Sequence, residues 1–184
     1  MTMIALVFDT ETDGLVDNHI IELDKQASVI EYYGVVVNLK TGKKLGELEC
    51  MMKPHKYPMS DYTIKVTKTQ LSNAMLSDCL LFGSYAEEIK QQIESAPAVI
   101  AHNLSFDMEI IDLQFERLGQ KIKWPRKRIC TVEQTAHLLG YRMNLTALHM
   151  HLFDKEFKDA HRARADVEAL MRICRELYKR EVIA

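Results

Sequence analysis

The chain has 184 residues, a formal charge of −2 and four scattered cysteines, Cys50, Cys79, Cys130 and Cys174. That length predicts one domain over 1–184, able to bury about 70% of its unfolded surface, and cysteines without a Cys-x-x-Cys pair exclude a disulfide frame or zinc site. There is neither an apolar stretch of the ~20 residues a membrane helix needs nor a basic, cleavable leader, so a cytoplasmic protein without a membrane partner is expected.

In chain order, Ile4 to Phe8 is a continuous apolar run, as expected of a strand buried on both faces. Val29 to Asn38 and Leu45 to Lys53 read as a second and third strand, joined as a hairpin by Lys40-Thr-Gly42-Lys. Ser84 to Ser95 is helical in pattern, and Pro97 to Ala101 is a short buried strand. Leu104, Met108, Ile111, Phe115 and Leu118 then repeat at helical spacing. Glu133 to Leu139, Leu145 to Leu152 and Arg162 to Lys179 complete a helical second half. Three strands, a helix, a strand and further helices argue an α/β domain with a mixed sheet.

Three fragments carry the chemistry: Asp9-Thr-Glu11 after the first apolar run, Asn103-Leu-Ser-Phe106-Asp107, and His161-Arg-Ala163-Arg-Ala-Asp166. Asp-x-Glu is common and recurs here at Asp154 and Asp166. Asn-x-x-Phe-Asp and His-x-Ala-x-x-Asp are each expected by chance in roughly one chain of this size in fifty. Residues two apart on a strand share a face, so Asp9 and Glu11 converge if the first strand runs through Glu11. Asp107, three residues after Leu104 and four before Ile111, falls on the apolar stripe of its helix. Asp166 sits four before Leu170, beside a similar stripe. A carboxylate so placed is costly unless compensated by a divalent cation or an arginine.

Five residues at about 100° each place His161 roughly 140° around a regular helix from Asp166. Both reach one site only if His161 lies in the entrance loop or first turn, with Asp159 as the expected N-cap. An unperturbed imidazole suits proton abstraction at neutral pH. Oxygen-only ligands suit Mg²⁺ or Mn²⁺ better than zinc.

The order and context of these fragments resemble the DnaQ-like (DEDDh) family of 3′-to-5′ exonucleases over nearly the whole chain. The resemblance implies a ribonuclease H-like fold, with a mixed five-stranded sheet flanked by helices. It implies two Mg²⁺ (or Mn²⁺) ions held by Asp9, Glu11, Asp107 and Asp166. Asp9 would bridge both ions, Glu11 and Asp166 would complete the first site, and Asp107 would support the second, directly or through water. His161 would be the general base, and nucleoside 5′-monophosphates would leave from a 3′ end.

Substrate contacts carried over by resemblance are Thr10, Thr12 and Gly14 around the terminal nucleotide, with Leu15 and Phe106 on its base or sugar. Phe106 reads equally as a core aromatic. Asn103 either bonds a phosphate or caps the helix from Leu104, the cap being favoured. Arg162 and Arg164 flank the base and are phosphate candidates. The cationic run Lys121–Arg128, with Trp124 for stacking, is a nucleic-acid contact or a solvated loop. Relatives carry Ile-His-Gly-Ile-Thr where this chain has Ile64-Lys65-Val66-Thr67, so no role is assigned there.

The connection from Val16 to Gln26 is longer than the family's usual one, as a specificity loop or lid would be. The sequence lacks a polymerase-binding tail after its last helix, which points to a stand-alone exonuclease, with a DNA polymerase as a partner still open. Single-stranded DNA is the expected substrate, ahead of RNA. A non-catalytic nucleic-acid-binding domain is the remaining alternative, disfavoured because clustered negative charge would repel a polyanion.

Overall fold

The computed structural model describes residues 2–17 and 19–184. Five strands, β1 (Ile4–Thr12), β2 (Val29–Asn38), β3 (Lys44–Met51), β4 (Ala98–Ala101) and β5 (Lys127–Cys130), form one sheet in the order β3-β2-β1-β4-β5. β1, β2 and β3 pair antiparallel, whereas β4 runs parallel to both β1 and β5. The mixed sheet and its flanking helices are the α/β architecture expected.

Seven α-helices accompany the sheet among the described residues: α1 (Asp61–Thr67), α2 (Asn73–Leu76), α3 (Ala86–Ser95), α4 (Leu104–Arg117), α5 (Thr131–Leu139), α6 (Leu145–Phe153) and α7 (Ala163–Lys179). Strand alternation distributes them over two faces. Leu6 and Phe8 on β1 join the core made with Ile89 and Ile93 of α3 and Ile110, Ile111 and Phe115 of α4. Ala5 and Val7 turn the other way, onto Leu148 of α6 and Val167, Leu170 and Cys174 of α7. On β1, Thr10 therefore continues the α4 face, and Asp9 and Glu11 continue the α7 face.

Several elements differ from the sequence reading. The fifth strand of the expected sheet, β5, was not located from the residues, because two of its four, Lys127 and Arg128, are charged and exposed. It is a short edge strand whose charges face solvent, a pattern that reads as loop. The segment between β3 and α3 folds into α1 and α2, started by Ser60 and Ser72, whose hydroxyls accept from Thr63 N and Met75 N. Asp159 is not the cap of α7. The N-cap position belongs to Arg162 without a side-chain cap bond, and Asp159 has left-handed backbone, φ 59°. Trp124 is not free to stack on a base: it packs on Phe8 at 6.0 Å and donates its indole N–H to Asp112 Oδ1 at 2.8 Å. In the long connection after Gly14, Gln26 ties back to the carbonyls of Asp17 and Ile20 at 2.6 and 2.7 Å; Asn18 lies outside the described residues.

Candidate active site

β1 stays extended through Thr12, which sets Asp9 and Glu11 on one face near the C-terminal end of the strand. α7 packs on that face and delivers Asp166 from its first turn. One carboxylate oxygen from each of Asp9, Glu11 and Asp166 lies within 4.8 Å of the others. This donor set of clustered oxygens fits a hard divalent cation.

Asp107 approaches from the opposite face of the sheet, on α4. Its Oδ1 accepts from Thr10 N at 3.1 Å and Thr10 Oγ1 at 2.8 Å. It stands behind Thr10 and does not line the pocket that the other three carboxylates enter. Thr10, which the resemblance places around the nucleotide, lines that pocket and donates its hydroxyl to Asp107.

Burial concentrates negative charge that water cannot solvate. Desolvation, then Asp107, Asp166, Glu11 and Glu31, pushes the Asp9 carboxyl well above the ordinary carboxylate range. Burial raises Glu11 to about 8, with Asp166, Glu31 and Asp107 adding to it and Arg162 opposing. Asp107 and Asp166 rise to about 7, burial again leading, while donors from Thr10 and from the His161 backbone pull the other way. Such a cluster is stabilised by a cation in its midst.

His161 lies in the loop before α7, as the angular argument required. Its backbone N–H donates to Asp166 Oδ2 at 3.1 Å, its φ is 68°, and its exposed side chain lines the same pocket of about 300 Å³ as Asp9, Glu11 and Asp166. Leu15, 69% exposed, and half-buried Phe106 also line that pocket, which separates Phe106 from the core. Thr12 turns its hydroxyl onto Gly14 O at 2.7 Å, while Gly14 borders the neighbouring groove. Asn103 sits at the α4 N-cap position with φ 72° and makes no side-chain cap bond; its Oδ1 faces Arg142 Nη2 at 3.5 Å.

The two arginines beside His161 do not reach the pocket. Arg162 pairs with Glu31 at 2.7 Å. Arg164 pairs with Glu49 and lies over the Tyr33 ring, 4.5 Å from its centroid. Successive residues at the head of α7 point in different directions, and β2 and β3 supply carboxylates on the arginines' side. In this arrangement both guanidiniums are engaged by protein carboxylates, not turned into the pocket where a phosphate contact was expected.

Four contributors escaped the sequence reading. Glu31 is fully buried and directly opposite Glu11 in the β1–β2 register; a carboxylate inside the apolar run Val29–Asn38 was the available signal. His102 lines the pocket, hydrogen-bonded to Thr131 Oγ1 at 2.9 Å and Met143 O at 3.1 Å. Burial holds it down at about 4, so it is neutral at pH 7. Val66 and Thr67 of α1 also line the pocket; the sequence marked that segment without giving it a role.

A family model described as RNase_T, Exonuclease, matches residues 6–174. The chain belongs to this exonuclease family. Among curated relatives, the PolC-type DNA polymerase III of Lacticaseibacillus paracasei is 32% identical over 178 residues, covering 89% of this chain and 10% of that protein. The Bacillus subtilis PolC-type polymerase is 29% identical over 170 residues, covering 89% and 11%. The exonuclease thus spans about a tenth of the length of these relatives.

Solved structures share its fold. The nuclease domain of 3′hExo, a DEDDh family member bound to rAMP, superposes with TM-score 0.75 at 12% identity, covering 96% of this chain and 92% of that one. Exonuclease X in complex with 5′-overhanging duplex DNA gives 0.67 at 19% identity, covering 98% and 94%. Escherichia coli Exonuclease I with a dT13 oligonucleotide gives 0.73 at 16%, covering 97% and 41%. The mixed five-stranded sheet flanked by helices, expected from the family resemblance, is the fold shared with these exonucleases.

Proposed function

We propose that this exonuclease removes nucleotides from the 3′ end of single-stranded DNA, using two Mg²⁺ or Mn²⁺ ions and His161 as general base. The observation that carries the reading is the convergence of Asp9, Glu11 and Asp166 oxygens within 4.8 Å, on the pocket that His161 lines. Asp9 would serve both ions, as the family resemblance implies, and Glu11 and Asp166 would complete the first site. Asp107, its Oδ1 held by Thr10, supports the second through its remaining oxygen or a water. When bound, such ions lower the pKa of an attacking water and neutralise charge on the leaving oxygen.

The residues supply the rest. His161, on its entrance loop, takes the proton of the attacking water. Leu15 and Phe106 offer apolar surface to the terminal base and sugar, with Val66 and Thr67 lining the same pocket. His102, kept neutral, contributes shape and hydrogen bonding without positive charge.

DNA is the preferred substrate because the curated relatives are DNA polymerases by name, and proofreading beside a polymerase is the setting that likeness favours. RNA remains the second reading, since a structural neighbour was solved with rAMP. Incubation of matched 5′-labelled DNA and RNA oligonucleotides with Mg²⁺, Mn²⁺ or chelator tests both. A metal-dependent ladder, faster on DNA, supports the reading. Release of label as mononucleotide first would show attack from the 5′ end and overturn it.

A further inference from the structure

We infer that Glu31 is a positioning residue, which fixes the entrance of α7 and through it the placement of both His161 and Asp166. The inference rests on the reading of those two residues given above.

Glu31 is the third residue of β2 and has no exposed surface, and both of its oxygens are occupied. Oε1 accepts from Arg162 Nη2 at 2.7 Å and Nε at 3.2 Å. Oε2 accepts from Ala163 N at 2.9 Å and from Arg162 Nε at 3.1 Å. α7 has no side-chain cap of its own, so the carboxylate of a different element does what a local Ser or Asp usually does. Its charge is also favourably placed at a helix N-terminus.

The two residues it grips stand between His161 and Asp166 in sequence. His161 closes onto Asp166 through its backbone N–H, and Gln70 holds the preceding Ala160 carbonyl at 2.6 Å. The turn includes left-handed residues, Asp159 and His161, a conformation that needs such external ties. Glu31 is the fully buried one of these ties.

A carboxylate facing Glu11 across two strands could instead be a metal ligand. Its four hydrogen bonds speak against that, because no oxygen is left to coordinate an ion. The Asp9, Glu11 and Asp166 oxygens form their cluster without it.

Glu31→Gln keeps the side-chain shape but loses one acceptor and the charge. In the metal-free protein, amide hydrogen exchange at Ala163 should accelerate at least about tenfold while residues 170–177 keep their protection. Mn²⁺ affinity, measured by calorimetry without substrate, should weaken several-fold. With oligonucleotide, kcat should fall roughly 10- to 100-fold, since small misplacements of reacting groups have such effects. KM should stay within about twofold, and saturating Mn²⁺ should not restore kcat.

Unchanged exchange at Ala163 together with wild-type kcat would overturn the inference. Full recovery of kcat by excess Mn²⁺ would overturn it in favour of a direct ligand. A lowered Tm with wild-type kcat in the folded fraction would reduce Glu31 to a structural ion pair. If Glu31→Gln does not fold, Arg162→Lys, which keeps the charge and loses the planar fork, carries the same readouts. The exchange measurement requires no catalysis, so its failure is distinct from failure of the exonuclease reading, which an inactive wild-type protein would reveal.

Discussion

Thr10 holds the Asp107 carboxylate by two bonds, 3.1 Å from its backbone nitrogen and 2.8 Å from its hydroxyl. The two residues lie 97 positions apart, on β1 and α4. Thr10→Val preserves the shape and removes the hydroxyl. It should cost about 1–3 kcal/mol of stability by leaving a buried carboxylate short of a donor, and should lower kcat as Asp107 loses its orientation. Thr10→Ser should recover most of both. Urea unfolding and single-turnover cleavage check this pair; equal losses in Val and Ser variants would exclude the hydroxyl as the cause.

The carboxylate cluster predicts an unusual pH dependence for the metal-free protein. Glu11 is raised to about 8, and Asp107 and Asp166 to about 7, so the folded state binds more protons than the unfolded state between roughly pH 4 and 8. Stability from these groups is present below their unfolded pKa values and is lost as pH rises through the folded ones. Tm in chelator should therefore decline from pH 5 to 8, and Mn²⁺ should reverse the decline. A Tm that rises over that range would contradict the assignment.

His161 enters the pocket by its side chain while only its backbone touches Asp166. His161→Ala should reduce kcat about 10²–10⁴-fold, the usual contribution of a general base. Mn²⁺ affinity should stay near wild type, because the imidazole lies outside the clustered donors. Calorimetry beside steady-state cleavage separates the two; a large loss of Mn²⁺ binding would make His161 a ligand.

Arg164 tests the expected phosphate contact. Its guanidinium is shared between Glu49 and the Tyr33 ring at the surface. Arg164→Ala should leave KM for oligonucleotides unchanged and cost at most about 1 kcal/mol. A raised KM with a flatter salt dependence would return it to the nucleic-acid interface.

The contrast between what the sequence disclosed and what it concealed follows from physical causes. β1, β2, α4 and α7 were legible because uninterrupted apolar runs and helical periodicity report burial directly. Asp107 and Asp166 stood out as carboxylates on apolar stripes, and the buried positions found for both agree. β5 was hidden because an edge strand with Lys127 and Arg128 carries no apolar pattern. The resting direction of Arg162 and Arg164 could not be read from their closeness in sequence to His161, because at the helix entrance Glu31 and Glu49 pair with both. Glu31 itself was visible as a charge inside an apolar strand, but its partner lay 131 residues away.

The central claim is that Asp9, Glu11 and Asp166 form a metal-dependent centre acting on 3′ ends. The most direct measurement is cleavage of a 5′-labelled single-stranded DNA oligonucleotide by wild-type and Asp9→Ala protein, with Mn²⁺ or chelator. The account predicts a ladder shortening from the 3′ end only with wild-type protein and metal, and loss on the order of a thousandfold or more in Asp9→Ala. Equal cleavage by the variant, or cleavage undiminished by chelator, would contradict it.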